Sequence, residues 1–247
     1  MASSFKIKLK KHLPTFFKRF AYRLNLYPRF KPSQGKIDWG DFSSVLPFSN
    51  NFGFDRGGPV DRYYIENFLE AESSVIKGNV LEIADNAYTT KYGLDKVTKS
   101  DVLHLDQGVP GATYVADLSK ADHLPSDHFD CIILTQTLQF IYDYTSALKH
   151  CYRMLKKDGV LLVTVPGISP IEVGKWRTNW LWSFNVASMN KIFSEFFPAH
   201  SFDVQAYGNV YAAISFLHGV GITETDKSKL DIRDSSYDVI ITIRLKK

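Results

Sequence analysis

The segment Gly78-Asn79-Val80-Leu81-Glu82-Ile83-Ala84-Asp85-Asn86-Ala87-Tyr88-Thr89 joins a short apolar run to a polar turn, with one carboxylate, Glu82, set inside the run. Val80–Ile83 is too short for a helix and is bounded by Gly78 and Asp85, so it predicts a strand that passes straight into a loop. Nucleotide-binding α/β domains open in this way. Their first loops carry glycines so that backbone can approach a pyrophosphate, and Ala84–Tyr88 has none. That omission argues against a nicotinamide dehydrogenase. It leaves room for a ligand without phosphate, because Ala84 is nearly as small as glycine and Asn86 tolerates the left-handed backbone a tight turn demands.

The rest of the chain alternates strand and helix. Further strands are predicted at Val102–Asp106, Ala112–Asp117, Phe129–Thr135, Val160–Val165, Ser201–Ala206 and Tyr237–Arg244. Helices are predicted from Pro59 to about Ile76, and over Tyr144–Lys156, Ala187–Phe197 and Val210–Leu217. In the second of these Leu148, Cys151, Tyr152 and Leu155 recur at spacings of three and four. The unbroken apolar runs Cys131–Leu134 and Val160–Val163 fit strands covered on both faces, hence a parallel sheet. No apolar run approaches the roughly 20 residues that span a bilayer, and the N-terminus lacks the apolar core of a secretory signal. Cys131 and Cys151 read as buried thiols, with no disulfide framework and no metal cluster, so a cytoplasmic protein is expected.

Charge divides the chain. Of its 30 Lys and Arg, ten lie in residues 1–36, which contain no Asp or Glu; the remainder sets 20 cations against 26 carboxylates. Residues 1–36 therefore read as a basic amphipathic arm, and 37–247 as one mildly acidic domain without the basic surface that nucleic acid requires. Within residues 1–31 apolar side chains alternate with the cations, which suits an anionic membrane surface or a protein partner. The same pattern fits a helix packed on the domain, or a joint left from a larger chain.

In open α/β sheets ligands sit beyond the carboxyl ends of the strands. The residues there are Ala84, Asp85, Asn86 and Tyr88 after the first strand, Asp106 after the second, Asp117 and Leu118 after the third, and Gln136 and Thr137 after the fourth. A carboxylate after the second strand can accept both hydroxyls of a ribose, and a side chain after the third can accept from an adenine amino group. Each of these residues is equally a good turn or capping residue taken singly; it is their joint placement that points to an adenosine.

Three stretches carry a family resemblance: Val80-Leu81-Glu82-Ile83; Asp117 ahead of Leu124-Pro125-Ser126-Asp127-His128-Phe129-Asp130; and Leu155-Lys156-Lys157-Asp158-Gly159-Val160-Leu161-Leu162. Together, over roughly residues 60–247, they resemble a class I S-adenosylmethionine (SAM)-dependent methyltransferase. More narrowly, Asp55–Tyr64, Trp182-Ser183-Phe184 and Tyr207-Gly208-Asn209-Val210 are similar to bacterial methyltransferase domains that occur with glycosyltransferases.

The resemblance implies an α/β, Rossmann-like sheet of order 3-2-1-4-5-7-6 with strand 7 antiparallel. It implies SAM as cofactor and a small-molecule or glycan acceptor, by O-methylation of a sugar or glycan precursor. Carried onto this chain, Glu82 braces the first loop and the methionine amino group; Ala84, Asp85, Asn86 and Tyr88 line the methionine end; Asp106 takes the ribose; Asp117 and Leu118 contact the adenine; and Gln136 lies below the transferred methyl. The chain departs from the pattern in its glycine-free loop, in a short first helix, and in a short or missing helix between strands 2 and 3. Asp101 rivals Asp106 for the ribose if the second strand begins earlier. A methyltransferase-like scaffold that no longer catalyses is the other reading of the glycine-free loop.

No residue is assigned as catalytic base. The groups available are His123 and His128 before the fourth strand, Tyr142 and Asp143 after it, Glu172, Lys175 and Arg177 after the fifth, and His218. Trp176, Trp180, Trp182 and Phe184 either line an acceptor pocket or form a hydrophobic lid. Arg56, Asp61, Arg62 and Tyr63 either close over a ligand or anchor the helix that precedes the first strand.

Overall fold

A computed structural model describes residues 14–24, 30–174 and 176–247. They fall into two compact units, Met1–Val45 and Leu46–Lys247. The first unit holds helix α1 (Thr15–Arg23), and the basic arm read from the sequence ends inside it. Half of the arm's ten cations, Lys6, Lys8, Lys10, Lys11 and Arg29, lie outside the described residues.

The second unit is built on seven strands: β1 (Gly78–Ile83), β2 (Val97–His104), β3 (Tyr114–Val115), β4 (Phe129–Thr135), β5 (Leu155–Pro166), β6 (Phe202–Tyr207) and β7 (Ile240–Lys246). Their order is β3-β2-β1-β4-β5-β7-β6. β1 to β5 pair in parallel, and β7 runs antiparallel to both β5 and β6. This is the sheet that the strand–helix alternation and the family resemblance imply.

Helices α2 (Val60–Ala71), α3 (Tyr144–Met154), α4 (Val186–Phe196), α5 (Val210–Leu217) and α6 (Lys227–Leu230) complete the unit. The alternation of β4 shows why the unbroken apolar runs mean burial on both faces. Ile132 and Leu134 pack into one core with Leu148 and Cys151 of α3 and Met189 and Phe193 of α4. Cys131 and Ile133 turn to the other face, against Ile65 and Leu69 of α2 and Phe216 of α5. Four of the helices start on side-chain caps: Asp143 Oδ1 accepts from Ser146 N–H, Asn185 Oδ1 from Ser188 N–H, Asn209 Oδ1 from Ala212 N–H, and Asp226 Oδ1 from Ser228 N–H.

The first half of the sheet is lean. After β1 the chain makes a single π turn (Thr89–Gly93) and a 3-10 turn (Leu94–Lys96) before β2. Between β2 and β3 there is no helix; Thr113 closes that loop by bonding the N–H and the carbonyl of Val102 at 2.8 and 3.1 Å.

Several boundaries differ from the sequence reading: α2 ends at Ala71 rather than near Ile76, β3 keeps only Tyr114–Val115 of Ala112–Asp117, β7 runs over Ile240–Lys246 rather than Tyr237–Arg244, and β2 and β5 both start earlier. β2 begins at Val97 rather than Val102, because its polar first half, Lys99 and Ser100, takes ladder positions beside Asn79 and Val80 that need no apolar side chain. β5 begins at Leu155, which pairs with Phe129, so α3 stops at Met154 instead of continuing to Lys156. Among the described residues no helix is long and apolar enough to cross a membrane.

Candidate active site

A cavity of about 800 Å³ lies at the carboxyl ends of β1, β2, β3 and β4. It is of a size that takes a cofactor or a small ligand. Its floor begins with Glu82, only 2% exposed. Oε1 accepts from Tyr88 N–H at 3.1 Å, while Oε2 accepts from Thr89 N–H and from Thr89 Oγ1–H, both at 2.7 Å. Burial raises the Glu82 pKa, and the three bonds oppose that shift. A carboxylate placed mid-strand thus stands in for the missing helix: it satisfies the first free N–H groups of the turn that follows. Thr89 was not singled out from the sequence. Its signal was the buried acid six to seven residues upstream, which needs donors.

Ala84 carries the bend. Its φ is +77°, its N–H donates to Leu103 carbonyl at 2.9 Å, and it lines the cavity. The left-handed position therefore falls on Ala84 and not on Asn86. Gln136 at the end of β4 also has positive φ, +46°. It is pinned by its own N–H to Thr164 carbonyl at 2.9 Å and by Gln139 Nε2, which donates to its carbonyl at 2.9 Å. Two non-glycine residues in sparsely populated backbone thus face one cavity, and such strain concentrates at ligand sites.

Asp106 and His104 stand at the end of β2, and both line the cavity. His104 Nδ1 accepts from Asp106 N–H at 3.0 Å, so its ring proton sits on Nε2. Asp117 caps the turn after β3 through Oδ1, which accepts from Ser119 N–H at 2.9 Å and from Ser119 Oγ–H at 2.7 Å; those bonds leave Oδ2 untaken. Leu118, Asp85 and Tyr88 complete the set. Arg62, from the first turn of α2, donates through Nη1 to the Tyr88 hydroxyl at 2.7 Å and lies over the same ring. The far wall is aromatic: Phe140, Tyr142 and Trp176, with Phe140 and Trp176 ring centres 5.3 Å apart.

Of the ten ligand-binding residues named from the sequence, the cavity gathers Glu82, Ala84, Asp85, Tyr88, Asp106, Asp117, Leu118 and Gln136. Asn86 and Asp101 are set apart. The Asn86 side chain turns to Ser100 Oγ at 3.2 Å. Asp101 lies inside β2 opposite Leu81, 1% exposed and ion-paired with Lys99 at 2.9 Å. The earlier start of β2 was the condition under which Asp101 rivalled Asp106. Yet it places Asp101 in mid-sheet and leaves Asp106 at the strand end, where ligands bind.

The groups weighed as bases separate in the same way. Tyr142 and Asp143 reach the cavity, whereas His123, His128, Glu172, Arg177 and His218 do not line it, and Lys175 lies outside the described residues. Asp143 is held at a pKa of about 2 by its bonds from Ser146 and Thr145, too acidic to accept a proton readily at neutral pH. Burial pushes the Tyr88 hydroxyl upward, so it stays protonated there. What the arrangement offers is orientation. Among the described residues no group of three or more His, Cys, Asp and Glu is placed to hold a metal.

The donor set fits SAM. The carboxylates of Asp106 and Asp117 line the cavity as hydrogen-bond acceptors beyond β2 and β3, and Ala84 is small enough for close approach to its backbone. A family model described as a methyltransferase domain matches residues 61–208, more than half of the chain. The chain belongs to that family: it is a class I SAM-dependent methyltransferase, and its cofactor is SAM.

Among proteins of similar sequence is the ubiquinone/menaquinone biosynthesis C-methyltransferase UbiE of Pectobacterium carotovorum subsp. carotovorum (strain PC1), 33% identical over 88 residues, 35% of this chain and 33% of that protein. The UbiE of Pectobacterium atrosepticum matches to the same extent. The chain thus spans about a third of the length of these curated relatives. Among solved structures, a SAM-dependent methyltransferase from Archaeoglobus fulgidus aligns with a TM-score of 0.50 at 10% identity, covering 75% of this chain and 94% of that one. The cyclase SpnF aligns with a TM-score of 0.50 at 14% identity, covering 83% and 87%. At such identities the likeness is one of fold, and a fold hosts more than one chemistry.

Proposed function

We propose that this methyltransferase acts on a hydroxyl of a sugar or glycan precursor. The observation that carries this reading is the far wall of the cavity, where the rings of Phe140, Tyr142 and Trp176 stand beside the carboxylate of Asp143. Flat apolar faces next to a fixed acceptor suit a sugar ring, which is apolar on its faces and hydroxylated at its rim. The likeness of Asp55–Tyr64 to methyltransferase domains that accompany glycosyltransferases points the same way.

Asp106 would hold the ribose hydroxyls, Asp117 and Leu118 the adenine, and Asp85, Tyr88 and Arg62 the zwitterionic methionine end, with Glu82 acting through the loop it braces. When bound, SAM supplies an electrophilic methyl group on a sulfonium. The protein then has to present the acceptor oxygen in line with the methyl group, and Phe140 and Trp176 offer the faces against which the acceptor would rest. Since neither Asp143 nor Tyr88 is tuned to take a proton at neutral pH, catalysis rests on alignment, which is worth several kcal/mol. Such an enzyme turns over faster as rising pH ionises the acceptor.

The test is transfer of a labelled methyl group from SAM to a panel of nucleotide sugars and oligosaccharides, with the product located by mass spectrometry and NMR. A methyl ether on a sugar oxygen is expected. Label found on a ring carbon of a quinol instead would favour the chemistry that the names of the curated relatives state. Label in no acceptor, with S-adenosylhomocysteine bound normally, would favour a scaffold.

A further inference from the structure

The arm is independent of the acceptor question, and its chemistry is that of an interface. Residues 1–36 carry Lys6, Lys8, Lys10, Lys11, Lys18, Arg19, Arg23, Arg29, Lys31 and Lys36 against no carboxylate. Within this run α1 spans nine residues, and Phe16 and Phe20 fall at i and i+4 with Leu24 one turn further on. Phe17, three before Phe20, widens the stripe. All four side chains are exposed. Lys18 lies away from the stripe, on the side of Tyr22, and Arg19 pairs with Asp38. The first carboxylates met along the chain are Asp38 and Asp41, beyond the arm.

We propose that this arm docks the enzyme on an anionic lipid bilayer. Charge complementarity decides between occupants. A groove on a protein partner would have to match, position by position, cations spread over 36 residues with no acid among them. An anionic leaflet offers a continuous negative surface that needs no register, and each Lys or Arg near it adds to binding. Three phenylalanines and a leucine on one stripe supply the apolar half that such helices insert at the headgroup boundary. At nine residues α1 is far shorter than a bilayer-spanning helix and is of a length to lie along the surface.

The experiment is co-sedimentation of the full chain with vesicles of phosphatidylcholine alone and of phosphatidylcholine with phosphatidylserine. Binding to the anionic vesicles is expected at low salt, with at least a tenfold loss between about 0.1 and about 0.5 M salt as the charges are screened. Changing Lys8, Lys10, Lys11 and Lys18 to Glu together should lower binding at least tenfold. Phe16→Ser with Phe20→Ser should lower it severalfold at every salt concentration. Stabilisation by S-adenosylhomocysteine, read as a thermal shift, should stay unchanged in both variants, which shows that the domain is folded. Absence of binding to anionic vesicles at low salt overturns the proposal. So does equal binding to neutral vesicles, or binding that the charge reversal leaves intact. None of these outcomes bears on which acceptor is methylated.

Discussion

β1 separates two halves of the sheet that are built differently. On one side stand β2 and the two-residue β3, joined by polar loops and single helical turns. On the other stand β4, the twelve-residue β5, β7 and β6, with α3 and α4 packed over one face and a continuous core of Leu, Ile, Val and Phe. The lean half, with the loop after β1, holds most of the polar groups that line the cavity, while the thick half supplies the aromatic wall. Burial of apolar side chains, at roughly 1.5–3 kcal/mol each, holds the thick half together. The lean half relies on hydrogen bonds to buried or capping acids, and on its ligand, which adds stability in proportion to occupancy.

This contrast is tested most severely by removing one support from each half. Glu82→Ala strips the acceptor from three donors, two of them backbone groups of the first loop, and should cost about 3–5 kcal/mol in urea unfolding while abolishing S-adenosylhomocysteine binding. Leu161→Ala, at a fully buried position of β5, should cost about 2–5 kcal/mol as well. The folded fraction of that variant should still bind the ligand with normal affinity in calorimetry. If Leu161→Ala also lost binding, the two halves would not be separable.

Next in size, Asp106→Ala should weaken S-adenosylhomocysteine tenfold or more, the loss of charged hydrogen bonds worth about 1.5–3 kcal/mol. Asp101→Asn should change that affinity less than about twofold, because Asp101 lies in mid-sheet and does not reach the cavity. The opposite order would return the ribose to Asp101.

Acid sensitivity gives a smaller effect, in the thick half. The Asp143 pKa is depressed to about 2 in the folded state. Its caps on α3 therefore contribute fully above the ordinary carboxylate range near 4, and that contribution is lost as pH falls from there toward about 2. Asp143→Ala should flatten that part of the stability–pH curve and leave it parallel to the parent above about pH 5.

The smallest change expected is a gain. Ala84→Gly releases a left-handed alanine, and after the extra freedom glycine brings to the unfolded chain the protein should be stabilised by roughly 0.5 kcal/mol, seen as a rise in Tm. A loss of stability there would mean that the Ala84 methyl packs usefully against the cavity floor.

Much of this was legible in the chain, for reasons specific to each element. β4 was readable to the residue because both of its faces are buried, which forces an unbroken apolar run between Asp and Gln-Thr punctuation. β2 was not, since its first half is polar and held by backbone bonding to β1. The carboxylates at the strand ends were visible because acids directly after apolar runs have few reasons to be there. Thr89, His104 and Phe140 were not visible, since each matters only through what the fold brings beside it.

By itself, then, the sequence placed the strands and helices and marked the central strands as buried on both faces, through the apolar runs and the turns between them; the strand order came with the family resemblance, and the charge division between arm and domain is written in the residues. Only the tertiary structure decided which residue bears the left-handed bend, Ala84 rather than Asn86, and which aspartate faces the cavity, Asp106 rather than Asp101. Both depend on register. Pairing with β1 starts β2 at Val97 instead of Val102, where no apolar pattern records it, and so encloses Asp101 in mid-sheet while Asp106 stays beyond the strand end at His104.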